Sequence, residues 1–163
     1  MSTSKKGIAS TELSRRLGIA QKSAWLFRRK VVEAMKNGQK LLLSGQVEVD
    51  ETFVGGQCAG KRGRGADKKS QVVFAISRKG KSGISGAYGQ VIKNAGSKTL
   101  KPFVESHVCT EAHVKTDLWR GYSSLKGSYN LEQIPSKKGK NFQIFHRFVM
   151  GFKSWLRGIH HYV

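Results

Sequence analysis

The stretch "VEVDETFVGG", Val47 to Gly56, puts Glu48, Asp50 and Glu51 within four residues of a chain that has only 10 Asp+Glu against 30 Lys+Arg. In a strand, side chains alternate faces. Val47, Val49, Glu51 and Phe53 would then share one face, and Glu48, Asp50 and Thr52 the other, which leaves Asp50 on the more polar side. A second isolated acid, Asp117, ends another strand-like run in "KTDLWRGY", 67 residues later. Two carboxylates at the ends of neighbouring strands offer hard oxygen donors suited to Mg²⁺ or Mn²⁺. A metal pair is a device for in-line attack on a phosphodiester. Spacing alone equally allows two ordinary salt-bridging acids.

The elements that must position these acids follow from pattern. Residues 1–38 read as helical: "STELSRRLGI" has a possible cap at Ser10 or Thr11, with Leu13 and Leu17 four apart. Gly18 breaks the run, and "AQKSAWLFRRKVVEAM" resumes it with Ala24, Phe27, Val31 and Met35 on one stripe. Helix, turn and helix is the pattern of a helix-turn-helix, or of a plain helical hairpin with a solvated basic face. Lys22, Ser23, Arg28 and Arg29 on the second helix are the candidate DNA contacts. "NGQKLLLSG" reads as a linker. From Gln46 the pattern changes to strands in "QVEVDETFV", "SQVVFAISRK" and "GAYGQVIKN". The intervening "GGQCAGKRGRGADKK" is either a disordered hairpin tip or an arm that grips phosphate through Lys61, Arg62 and Arg64.

"SKTLKPFVESHV" reads as a helix, "AHVKTDL" as a strand, "WRGYSSL" as a helical turn and "YNLEQIP" as a short strand. "SKKGKN" reads as a basic loop, with Lys137, Lys138 and Lys140 as further phosphate contacts. An amphipathic helix from about Phe142 to Arg157 closes the chain. The expected fold is α/β, a mixed sheet flanked by helices, over residues 46–163. Glu51 shares parity with the apolar residues, so it is expected to be partly buried and paired with Arg or Lys. Trp119, Arg120 and Tyr122 are expected to pack and position the strand end that carries Asp117.

Composition sets the partners. A formal net charge of +20 on 163 residues, with a pI near 10.4, calls for a polyanion, and double-stranded DNA comes first. Cys58 and Cys109 form no CxxC pair, which argues against a zinc finger and for two reduced thiols. Neither a signal peptide nor an apolar run of membrane-spanning length is present, so the expectation is a soluble, cytoplasmic protein with no membrane partner.

"VEVDETFVGG", "TDLWRGY" and "FKSWLRGIHHYV", in this order, resemble the DDE-type insertion-sequence transposases of the ISXO-like branch. "KKGIASTELSRRLGIAQKSAWLFRRKVVEAM" is similar to that family's helix-turn-helix segment. The resemblance implies a ribonuclease-H-like catalytic core and divalent metal. It implies cleavage and joining at transposon ends, in a prokaryotic cell, by a homo-oligomer on DNA. Asp50 matches the first catalytic Asp and Asp117 the second. The third position lies seven residues before a helix lysine, here Lys153, which places it at His146. No Asp or Glu follows Glu132, so His146 would complete the metal shell with Asp50 and Asp117, favouring Mn²⁺ more than a carboxylate would. His146 and Lys153 are two turns apart, about 10 Å along the axis, and are expected to point out of the core together. Lys153 would meet phosphate as a point charge. His160 and His161 match the motif without an assigned mechanism. Family members carry a zinc ribbon before the helix-turn-helix and more chain after "GIHHYV". Their absence here leaves open a shortened, inactive copy or a non-catalytic DNA-binding protein.

Overall fold

The computed structural model describes residues 7–34, 41–55, 69–80 and 82–159. Cys58, Lys61, Arg62, Arg64, His160 and His161 lie outside the described residues. The chain divides into two compact units, Met1–Lys40 with Met150–Val163, and Leu41–Val149.

In the first unit, α1 (Ser10–Leu17) and α2 (Gln21–Ala34) pack on each other through buried Leu13 and Ala24. Gly18 closes α1 in the left-handed conformation, with φ of 64°. Ser14 Oγ then donates to the Ile19 carbonyl and fixes the turn. Two expectations need correction. The cap position is Ala9, with no side-chain hydrogen bond, so neither Ser10 nor Thr11 caps α1. Phe27 is 48% exposed; the inward side of α2 runs through Ala24, with Arg28 and Val31 half-buried.

The second unit is built on a five-stranded mixed sheet in the order β3-β2-β1-β4-β5, flanked by helices and consistent with a ribonuclease-H-like fold. Its strands are β1 (Gln46–Val54), β2 (Ser70–Lys79), β3 (Gly83–Ile92), β4 (His113–Thr116) and β5 (Asn130–Gln133). β1 to β3 form an antiparallel meander. The chain then crosses through α3 (Ser97–His107) to the other edge of β1, and β4 and β5 pair in parallel. A parallel neighbour needs such a crossover, because a hairpin cannot reverse the chain twice.

One face of the sheet packs Val47, Val49, Val73, Ala75 and Val114 against Leu100, Phe103 and Val104 of α3. Tyr122 and Leu125, from a 3-10 turn (Arg120–Leu125), complete that layer. Leu43 belongs to it as well. It forms a parallel bridge with Val108 and is buried, so "NGQKLLLSG" is partly core and not simply a linker. On the other face Phe74 meets Phe148 edge to face at 5.3 Å. Phe148 belongs to α4 (Gln143–Ile159), whose Ile144, Phe145 and Val149 are buried. β2 is accordingly buried at six consecutive positions, Val72 to Ser77, as expected for a strand covered on both sides.

That second face carries Asp50, and it is not a polar surface. The cross-strand partner of Asp50 is Phe74 and that of Glu48 is Ile76, and Glu48 is itself buried. Alternation correctly separates the two faces, but acids in a sandwiched strand do not mark the wet one. "SKKGKN" also differs from a plain loop. It forms 3-10 turns over Lys137–Phe142, broken at Lys138 and Gly139, and Lys137 and Lys138 both adopt positive φ. No helix among the described residues is long and apolar enough to cross a membrane.

The seat of Phe74 depends on Gly89, its partner on β3. A Cβ at Gly89 would lie 2.7 Å from Phe74 Cδ1. Gly89→Val is expected to push the ring toward α4 and to cost about 1–3 kcal/mol by overpacking. Urea unfolding of the variant against wild type measures it.

Candidate active site

The site begins with a register. β1 and β4 run parallel, and Val49 opposite Thr116 is the last pair. Asp50 and Asp117 each follow this last pair directly, Asp50 still within β1 and Asp117 just past the end of β4. Asp117 is where the chain leaves β4. Its Oδ1 accepts the Trp119 amide at 2.9 Å, and its carbonyl accepts Gln133 Nε2 from β5 at 3.2 Å. Trp119 Nε1 donates to the Ala95 carbonyl at 2.7 Å and ties this corner to the start of α3. Asp50 Oδ1 accepts the Glu51 amide at 2.7 Å.

Tyr122 links the two strands from below. Its side chain is fully buried, and its hydroxyl donates to Glu51 Oε1 at 2.8 Å. Burial, first, pushes the phenol well above its usual range. The negative charges of Glu51 and Asp50, the hydrogen bond to Glu51 and the charge of Asp117 push the same way. One hydroxyl therefore senses all three acids. Tyr122 follows Asp117 on the chain, and Glu51 follows Asp50, so their bond braces the two acid-bearing segments against each other. This phenol is one partner of Glu51.

His146 sits at the start of α4, half-buried, with its Nε2 enclosed and lacking a hydrogen-bond partner. Its ring lies over Gly139, where a Cβ would come within 2.8 Å of His146 Cδ2. The imidazole is thus not the outward-pointing side chain expected from the helical stripe. Lys153, on the same helix, is also half-buried. Asp50 and Asp117 fit a hard divalent cation by donor chemistry, and the enclosed His146 Nε2 is a polar atom without a hydrogen-bond partner. Among the described residues, no three His, Cys, Asp or Glu side chains are grouped to hold an ion.

Of the proposed DNA contacts, Lys22, Ser23 and Arg29 are exposed on α2 and Arg28 is half-buried, while the Arg29 guanidinium lies 5.5 Å from the Trp25 ring centroid. Lys137, Lys138 and Lys140 are exposed. Lys137 and Lys138, with φ of 47° and 56°, hold a strained tip. That tip is anchored at Ser136 Oγ, which accepts the Gly139 amide, and it carries the glycine beneath His146. Sequence reasoning missed the buried Glu48, 3.6 Å from Arg78 Nη1, and the Tyr122–Glu51 bond. A run of three acids in a basic chain was the available signal for the first. The second joins residues 71 apart and had none.

Residues 42–163 match the sequence profile of the ISXO2-like transposase domain. No curated protein matches the chain significantly.

Tyr122→Phe removes the brace without a large change in shape. It is expected to cost about 1–3 kcal/mol, the range for withdrawing one partner of a buried hydrogen bond. The phenol is raised in the folded state above its unfolded value of about 10. Its contribution is therefore complete below about pH 10 and is lost as pH rises beyond that, toward the folded value. Denaturation at pH 8 and above pH 10 should show a steeper alkaline loss in wild type than in Tyr122→Phe.

Proposed function

The chain belongs to the ISXO2-like transposase domain family, and from that premise we propose that it cleaves and joins DNA strands at insertion-sequence ends in a metal-dependent reaction. The observation that carries this reading is that Asp50 and Asp117 each directly follow Val49 and Thr116, the last register pair of the parallel strands β1 and β4.

In this reading Asp50 and Asp117 would hold Mg²⁺ or Mn²⁺, and His146 would become the third ligand by turning its enclosed Nε2 toward them. When bound, the metal supplies Lewis acidity at the phosphodiester during in-line attack. The protein's own groups do the positioning. The Trp119 amide orients Asp117. The Tyr122 phenol keeps its proton and holds Glu51, so that β1 cannot slide against the segment after β4. Lys153 meets a phosphate as a point charge. Lys22, Ser23, Arg28 and Arg29 on α2 read duplex DNA in the manner of a helix-turn-helix, and Lys137, Lys138 and Lys140 hold phosphates without regard to sequence. The protein acts in the cytoplasm of a prokaryote, on the nucleoid, as a homo-oligomer assembled on DNA.

One observation favours a second reading, a DNA-binding protein without catalysis: the described acids and histidines form no ready three-ligand cluster. Metal decides between them. Duplexes carrying the flanks of the protein's own gene should be nicked with Mn²⁺ and left intact in EDTA. Asp50→Ala and Asp117→Ala should each lower cleavage by about 100-fold or more, the loss expected when a direct metal ligand goes, with duplex binding kept. Restoring a carboxylate with His146→Glu should move the preference from Mn²⁺ toward Mg²⁺. Cleavage that is indifferent to both aspartates would end the catalytic reading.

Duplex affinity should fall steeply with salt, because each neutralised phosphate releases counterions. Replacing Lys137, Lys138 and Lys140 together by Ala should lower the slope of log affinity against log salt by roughly 0.9 per lost contact. The loss should be equal on terminal and random DNA. A salt titration of anisotropy on both DNAs measures it.

A further inference from the structure

On the α3 side of the sheet is a cleft of about 960 Å³. It lies where β1 ends, β2 begins, β3 ends and α3 begins. Three cations line it, Lys69, Lys93 and Arg120, and among the described residues its lining contains no Asp or Glu. Among the described residues none of the three is ion-paired. Three unneutralised cations around one concavity favour an anion of more than one charge. The first turn of α3, which has no acidic residue, opens at the rim and adds a positive helix end to the same field.

The remaining lining is apolar where a phosphate would not be. Phe53, on the α3 face of β1, stands on the wall. Trp119 borders the cleft and also donates its backbone amide to Asp117. The cleft therefore shares Trp119 with the corner that holds the second acid. Its volume is at the upper end of the small-ligand range, about 300–1,000 Å³, which suits one or a few nucleotides and not the width of a duplex.

We propose that this cleft holds an unpaired segment of the DNA strand next to the cut, its phosphates on Lys69, Lys93 and Arg120 and a base against Phe53. This rests on the strand-cleavage reading for its place in the reaction, but not for its test. A base with its face on apolar and aromatic side chains and its backbone on cations is the general mode of single-strand binding. A pocket that takes a separated nucleotide offsets part of the cost of unpairing.

The test uses the full chain in EDTA, so that no cleavage is involved. Fluorescein-labelled oligo(dT) and a random-sequence duplex are titrated by anisotropy. Lys93→Ala/Arg120→Ala removes two exposed cations of the cleft. Lys79→Ala/Lys126→Ala removes the same charge from exposed positions outside it. The cleft variant should lose about tenfold or more on oligo(dT) and less than about twofold on the duplex, whose binding also reports that the variant is folded; the control should change both by less than about twofold. The inference is overturned if wild type does not bind oligo(dT), or if the cleft variant binds it like wild type. It is also overturned if the cleft variant weakens both DNAs by the same factor, or if the control reproduces the selective loss. A protein that passes this test yet cuts no DNA with Mn²⁺ retains the nucleotide cleft and rejects the cleavage reading.

Discussion

The parallel pairing of β1 with β4 is the constraint on which the rest of the molecule depends. It sets Asp50 and Asp117 directly after one register pair although the chain between them makes a meander and a crossover helix. A parallel pair cannot form locally, so the apolar layer must form with it. Val47, Val49 and Val114 of the paired strands are all wholly buried against α3 and the 3-10 turn after Asp117. Each such side chain contributes roughly 1.5–3 kcal/mol on burial. A one-residue slip would reverse the faces of β4 and expose that set. The hydrophobic layer thus sets the register, and the register places the two acids.

The same layer accommodates an electrostatic cost. Asp50, Glu51 and Asp117 all raise the pKa of the Tyr122 phenol, which means that all three project negative potential into one region. Like charges gathered in this way oppose folding unless something neutral or positive answers them. The phenol answers part of it as a donor, since a buried tyrosine can give a hydrogen bond without bringing a charge. Two hydrogen bonds within the local chain, Glu51 N to Asp50 and Trp119 N to Asp117, answer a further part.

Much of the sheet was legible because its signals are short-range. Alternation located β1 and its two faces, and the apolar spacing of "SKTLKPFVESHV" marked α3. The short runs before and after "WRGYSSL" are strands, as their residues imply. What escaped depends on partners far along the chain. Which face of β1 is wet cannot be read from β1, because Phe74, Ile76 and α4 cover the acid-bearing side. The Leu43 bridge to Val108 made core of a segment with linker composition. The half-buried state of His146 comes from Gly139, in a turn with two positive-φ lysines that no local preference would select. Lys69, Lys93 and Arg120 lie on three separate elements and share no period.

The account stands or falls on metal at the Asp50–Asp117 pair. The direct measurement is a Mn²⁺ titration of the protein followed by electron paramagnetic resonance, on wild type, Asp50→Asn and Asp117→Asn. The result predicted is saturable loss of the free-Mn²⁺ signal in wild type. Its affinity should fall by about tenfold or more in each variant, the drop expected when a carboxylate ligand is replaced by a neutral amide. Equal Mn²⁺ binding in all three proteins, or none in wild type, would contradict it.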